Sequence, residues 1–324
     1  MVRLDAITKQ YKQNIVLDHV SVELEKYTYG LLGANGAGKT TLFRIITNLI
    51  SANCGAIYVD GKKGQLQIGY LPQRFGAFRT LTAREQLFYF AKLKQQKNDG
   101  IDWTAEVDRA LELTHLVDQK DKKCGQLSGG MIRRLGIAQA ILGKPDLILL
   151  DEPTVGLDIE ERVRLKEILE ELRGKQPIII SSHIAEDIEA TCQQVIVLQN
   201  AHIIFTGEVE QLSSFATKHV WKMPEEIYRQ NRGKWKQIGY IEENGKRLVK
   251  VLCMEKDCMT DVSQFHWFRD WKTGICIYWQ RMMIHETSIS DDLLPAEADT
   301  HSARYSCNID IWCSASLSDE APSA

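Results

Sequence analysis

Gly33-Ala-Asn-Gly-Ala-Gly-Lys-Thr40 follows a short apolar run at 27–32 and leads into a helical pattern over 39–49. Strand, glycine loop and helix in that order make a phosphate cradle. Glycines let backbone N–H groups converge on phosphate oxygens, and the helix N-terminus adds positive potential. Lys39 is then the residue that neutralises the β and γ phosphates, and the Thr40 hydroxyl is a ligand for Mg²⁺. Gly36 and Gly38 fit because a Cβ would obstruct the approach of backbone to phosphate.

Before the loop, Val16, Asp18, Val20, Val22 and Leu24 alternate apolar and polar at period two, which predicts a small antiparallel β layer. Beyond it, about 74–140 reads as a helical insertion. There Thr82 and Glu85 form a capping box ahead of Leu87, Phe88, Ala91 and Leu93. Apolar runs at 146–150 and 177–182 flank a charged amphipathic helix, Ile159 to Leu172, a βαβ pattern that predicts a parallel sheet. The expected class is therefore α/β, a P-loop NTPase core with an antiparallel β subdomain and a helical subdomain.

The first of those runs ends in Asp151-Glu152-Pro153, which puts two carboxylates at the crevice where parallel strands end. Asp151 is the expected Mg²⁺ partner, directly or through water, and Glu152 is suited to polarise the water that attacks a γ phosphate. Pro153 stops the strand. His183, at the end of the second run, lies on the same predicted edge, where it can contact the γ phosphate.

Between loop and acid pair stands Gln126-Leu-Ser128-Gly129-Gly130-Met131-Ile-Arg-Arg-Leu, a serine and two glycines opening an amphipathic helix. Here the chain resembles the ATP-binding cassette (ABC) ATPases, whose signature is Leu-Ser-Gly-Gly-Gln in this place, and their motif order runs from Tyr11 to about His183. The resemblance implies that Tyr11 stacks on adenine and that Gly33, Asn35, Gly36, Ala37, Gly38, Lys39, Thr40 and Thr41 hold the phosphates of ATP. It implies that Gln73 senses Mg²⁺ and the attacking water, and that Asp158, in Gly156-Leu157-Asp158, communicates between two sites. Ser128, Gly129, Gly130 and Met131 would act on ATP held by a second subunit. Met131 departs from the family's Gln, which implies the loss of one side-chain contact, with Ser and both Gly kept.

Composition narrows the class further. A net charge of −3 and a pI near 6.3 provide no basic footprint for nucleic acid. Uninterrupted apolar runs are strand-length, against the roughly 20 residues of a spanning helix, and no secretory pattern opens the chain. The expected location is cytoplasmic, peripheral at the inner face of the cell membrane. Eight cysteines in 324 residues lack the density of a disulfide scaffold and the spacing of common zinc sites.

One cassette without a membrane segment calls for partners: a second cassette subunit, as homodimer or heterodimer, and integral membrane permease subunits. Arg74-Phe-Gly-Ala-Phe78 lies where family members receive a short helix from the membrane subunit, or is simple packing. The runs around Tyr70 and Leu81, with Leu-Ser-Gly-Gly-Met, look like bacterial exporters of drugs, antibiotics or peptides. The rival class is a non-transport ABC ATPase that remodels a soluble complex or ribosome. The expected domains are the ATPase at 1–212, a small accessory α+β region at 213–281 and a tail at 282–324. The accessory region opens on a hairpin with an Asn244-Gly245 turn. Its Trp267, Trp271 and Trp279 suit a docking surface, a minor core or an altered reading frame. The tail has eight acidic residues, one Arg and eight serines, a composition that favours disorder.

Overall fold

The N-terminal alternation becomes an antiparallel pair, β1 (Val2–Tyr11) and β2 (Asn14–Leu24), in which Val2, Leu4, Leu17, Val20 and Leu24 turn inward. The computed structural model describes residues 1–34, 36–63, 66–95, 100–182, 185–211, 220–230, 236–243, 246–252 and 266–267. It divides into two units, Met1–Glu208 and Val209–Ala324.

In the first unit, β4 (Cys54–Val59) and β5 (Lys62–Lys63) complete an antiparallel sheet of order β2-β1-β4-β5. A second sheet has the order β10-β9-β3-β8-β7-β6: β3 (Thr28–Leu32), β6 (Ile68–Leu71), β7 (Leu147–Asp151), β8 (Ile178–Ser181) and β9 (Gln194–Gln199) are parallel, and β10 (His202–Glu208) returns antiparallel. The βαβ expectation holds, with α5 (Ile159–Leu172) joining β7 to β8.

Every residue of β3, β7 and β8 is buried, as befits strands covered on both faces. One face meets α1 (Lys39–Ile46) and the antiparallel sheet in a core of Leu4, Leu31, Phe43, Leu147, Leu149 and Ile179. Each such side chain contributes about 1.5–3 kcal/mol on leaving water. Helix α1 stops three residues short of the expected 49 because Asn48 takes a left-handed φ of 58° and the N–H groups of Leu49 and Ile50 return to the Arg44 carbonyl.

The expected helical stretch holds α2 (Ala83–Lys94), α3 (Trp103–Leu113) and α4 (Gly129–Ile141). The capping box is formed: Thr82 Oγ1 accepts from the Glu85 N–H and Glu85 Oε2 from the Thr82 N–H. Helix α4 packs so closely on β6 that a Cβ on Gly69 would lie 2.1 Å from the Ala140 carbonyl oxygen.

The C-terminal carbonyls of α4 are satisfied by side chains of the neighbouring helices. Lys94 Nζ donates to Gln139 O, Ala140 O and Leu142 O at 3.1, 3.4 and 2.9 Å, and Arg109 donates to Ile141 O. Burial pulls the Lys94 amine from its ordinary 10.5 to about 8, against the opposing pull of Glu106. Between those values the unfolded chain holds the proton that the folded one has released. Stability should therefore rise with pH from about 8 to 10.5, by up to about 3 kcal/mol. Urea midpoints compared with those of Lys94→Met should lose this rise; the same slope in both would show that the amine carries no burial penalty.

The second unit is an antiparallel sheet of order β12-β13-β11-β14 with a short helix α6 (Glu225–Gln230). Its strands are β11 (Val220–Pro224), β12 (Lys236–Glu243), β13 (Lys246–Leu252) and β14 (His266–Trp267), with Met223, Val249 and Val251 fully buried. The expected hairpin is β12 with β13, Tyr240 opposite Val249; its Asn244-Gly245 turn lies outside the described residues, as do Trp271, Trp279 and the 282–324 tail. Trp267 pairs in register with Trp221.

Candidate functional site

The C-terminal ends of the parallel strands carry the expected chemistry side by side. Gly33 follows β3, Gln73 follows β6, Asp151 closes β7 and Ser181 closes β8. Adjacent parallel strands deliver their following loops to one edge, the general position of ligand sites in such sheets.

In the glycine loop, Gly36 and Gly38 have φ of 86° and 106°, conformations that an L side chain rarely adopts. A Cβ on Gly38 would also meet the Val16 carbonyl oxygen at 2.7 Å, whereas one on Gly36 would meet open space. Backbone strain thus demands glycine here before any phosphate arrives. Ala37 is half-buried, Thr40 exposed and Thr41 half-buried at the start of α1. Lys39 is buried, and its Nζ donates to Gly33 O at 2.5 Å and Ala34 O at 3.2 Å. Burial pushes its pKa down while the Glu152 and Asp151 charges push back, so cation and carboxylates share one field.

Asp151 and Glu152 are treated differently by their surroundings. Burial raises the Asp151 carboxyl's pKa; its bond from Ser181 Oγ, at 2.6 Å, works the other way, Glu152 adds to the rise, and Arg133 and Lys39 oppose it. Glu152 has a left-handed φ of 48°, an uncommon conformation for a residue with a Cβ. Its N–H is held by Ser181, through Oγ at 3.0 Å and the carbonyl at 3.1 Å. Its carboxylate Oε2 accepts from Gln73 Nε2 at 2.8 Å. Ser181 is not among the expected site residues, and its signal in the sequence is its place near the end of the apolar run, two residues before His183.

Ser128 caps α4, its Oγ accepting from the Met131 N–H at 3.2 Å; Gly129 has open space, where a Cβ would touch nothing. Gly130 is different: a Cβ there would lie 2.5 Å from the Glu161 carboxyl group. Asp158 caps α5, its carboxylate accepting from the Glu161 N–H at 2.8 Å. Among the described residues, Ser128, Gly129, Gly130, Met131 and Asp158 make no hydrogen bond to the glycine loop, Asp151 or Gln73. Tyr11 stands apart at the end of β1, 45% exposed, with Lys9 Nζ 5.1 Å from its ring centre. Asn35 and His183 lie outside the described residues.

A hydroxyl, one buried carboxylate and a carboxamide are hard oxygen donors, and they fit Mg²⁺, which keeps several waters and shares its shell with substrate phosphates. Among the described residues no three His, Cys, Asp or Glu side chains gather into a metal cluster.

A glycine loop after the first parallel strand, with paired carboxylates at the end of a neighbouring one, defines a P-loop nucleotide-hydrolase class. The family described as ABC transporter matches residues 17–155. The chain is 32% identical over 226 residues to an uncharacterised ABC transporter ATP-binding protein, YxlF, of Bacillus subtilis, covering 69% of this chain and 76% of that protein. It is 34% identical over 224 residues to the linearmycin resistance ATP-binding protein LnrL of the same organism, covering 66% and 71%. A solved structure described as the dimeric structure of MJ0796, a bacterial ABC transporter cassette, superposes with a TM-score of 0.56 at 25% identity, covering 64% of this chain and 98% of that one. The chain belongs to the ABC transporter ATP-binding family and is an ATPase.

Proposed function

We propose that this ATP-binding subunit powers export of a drug, antibiotic or peptide through separate membrane permease subunits, as one of two cassettes that close around ATP. The observation that carries the engine is the bond between Gln73 and Glu152 beside Asp151 and Lys39. Lys39, Thr40, Thr41 and the loop backbone from Gly33 to Gly38 hold the phosphates, and Tyr11 stacks on adenine. Asp151, Thr40 and Gln73 would hold Mg²⁺, which would neutralise charge built up on the phosphate oxygens. Glu152 takes the proton of the attacking water, and His183 contacts the γ phosphate.

Ser128, with Gly129, Gly130 and Met131 behind it, is a helix N-terminus suited to the partner's nucleotide. Asp158 lies beside it in role, linking one site to the other. The likeness to a linearmycin resistance protein supports export over import. Among the described residues no helix is long and apolar enough to cross a membrane, so the coupling to transport is assigned to partner subunits.

Two experiments test this. Lys39→Ala removes the cation facing the phosphates and should weaken ATP binding by about 10- to 100-fold, the worth of one charge-assisted bond. Equilibrium binding of a fluorescent ATP analogue measures it; unchanged affinity would remove Lys39 from the phosphate site. Purification from membranes in mild detergent should recover the chain with integral membrane proteins, whereas recovery with ribosomes or a soluble complex alone would favour the remodelling class.

A further inference from the structure

Arg133, on α4 five residues after Ser128, reaches away from its own helix and spends its whole guanidinium on the two loops that carry the reacting groups. Nη1 donates to Pro72 O at 3.2 Å and Gln73 O at 2.9 Å. Nη2 donates to Asp151 O at 2.7 Å and to Glu152 O, and Nε donates to Pro153 O at 3.2 Å. Five backbone carbonyls, from segments 61 and about 20 residues away, meet one planar cation. Three of them belong to the turn in which Glu152 holds its left-handed φ.

We propose that Arg133 is a positioning residue for hydrolysis: it clamps the Gln73 loop to the Glu152 turn, and so sets the 2.8 Å contact between their side chains from the helix that Ser128 opens. The inference rests on Glu152 as the base and goes beyond it. Gln73 and Glu152 follow neighbouring parallel strands, with Leu71 opposite Leu150, which brings their loops to one edge; beyond the strand ends the ladder no longer sets the spacing between them. A rigid fork with five donors does set it, because one planar group bonds carbonyls of both loops at once. Ser181 holds the turn from the opposite side through the Glu152 N–H. The strained backbone is therefore pinned at its donor and at its acceptors, the over-determination such conformations require. Since Ser128 and Arg133 share one helix, a shift of the signature end would carry the clamp with it.

Among the described residues Arg133 makes no bond to the glycine loop, so its effect should fall on turnover and spare binding. In the purified full chain with ATP and Mg²⁺, Arg133→Met should lower kcat by about 10- to 100-fold, the usual cost of misplacing a reacting group by about 1 Å. KM, and affinity for ATP measured with a fluorescent analogue, should stay within about threefold. Arg133→Lys, a charge without the fork, should recover only a small part of kcat, and serves if the Met variant does not fold. With Glu152→Gln already in place, Arg133→Met should cost almost nothing more, because the group it positions has lost its function.

A kcat within twofold of wild type in Arg133→Met would overturn the proposal. So would full recovery in Arg133→Lys, or equal losses with and without Glu152. If Glu152→Gln alone leaves hydrolysis intact while Arg133→Met reduces it, the base assignment fails and the clamp acts on another group. If Glu152→Gln stops hydrolysis and Arg133→Met does not, the clamp alone fails.

Discussion

Glu152→Gln is expected to lower kcat for ATP hydrolysis by about 10²- to 10⁴-fold while nucleotide affinity changes only a few-fold. The amide has the shape of the carboxylate, and its carbonyl can still accept from Gln73 Nε2, so the turn held by Ser181 and Arg133 has no reason to move. What disappears is the carboxylate proposed to take the proton of the attacking water. Lys39 loses one of the two negative charges that oppose the downward pull of burial on its pKa and keeps the other, Asp151. Slow hydrolysis with binding intact should accumulate an ATP-bound dimer, visible as a doubled mass in size-exclusion chromatography with light scattering. Wild-type turnover in this variant would take the base role from Glu152. A monomer at saturating ATP would instead speak against the closed pair of cassettes.

The parts of this site that a reader of the sequence can find are the ones encoded locally. Glycine spacing in 33–40, the Asp-Glu after four aliphatic residues, and Ser128-Gly129-Gly130 at a helix start each state their geometry within ten residues. Helix α5 was legible for the same reason, with an Asp158 cap and inward Leu165, Ile168, Leu169 and Leu172 at helical spacing. Strands β4 and β9 escaped. β9 is a run of Val195, Ile196, Val197 and Leu198 without alternation, and such a run does not announce its partner. Its place between β3 and β10 is set by pairing over more than 160 residues.

Arg133 and Ser181 were hidden for a related reason. Both act through carbonyls and N–H groups far along the chain, and backbone groups have no sequence signature. The signature glycines show the opposite case. Gly130 reads as a residue facing nucleotide, yet within this one subunit a side chain there would have to displace the Glu161 carboxyl group.

That Glu161 contact leads to the largest expected loss of stability. Arg134, next to the clamp but on the buried side of α4, pairs with Glu161 through two bonds, Nε to Oε2 at 2.9 Å and Nη2 to Oε1 at 3.2 Å. Its remaining Nη1 donates to Thr114 O at 2.9 Å and His115 O at 2.8 Å. The two side chains are only 4% and 11% exposed, so neither charge has water to fall back on. Arg134→Met leaves a carboxylate under the start of α4 and two carbonyls without donors. Breaking one side of a buried pair costs about 3–5 kcal/mol. Arg164, which donates to Glu161 Oε1 at 3.0 Å, retains part of the compensation and places the expected loss near 3 kcal/mol. For a unit of this size that is a fall in Tm of roughly 6–12 °C. Replacing both partners, Arg134→Met with Glu161→Leu, should recover much of the loss, since the penalty comes from the stranded charge and less from the missing attraction. Thermal unfolding of the three proteins decides it: a double variant no more stable than Arg134→Met would mean that the Thr114 and His115 carbonyls, and not Glu161, carry the cost.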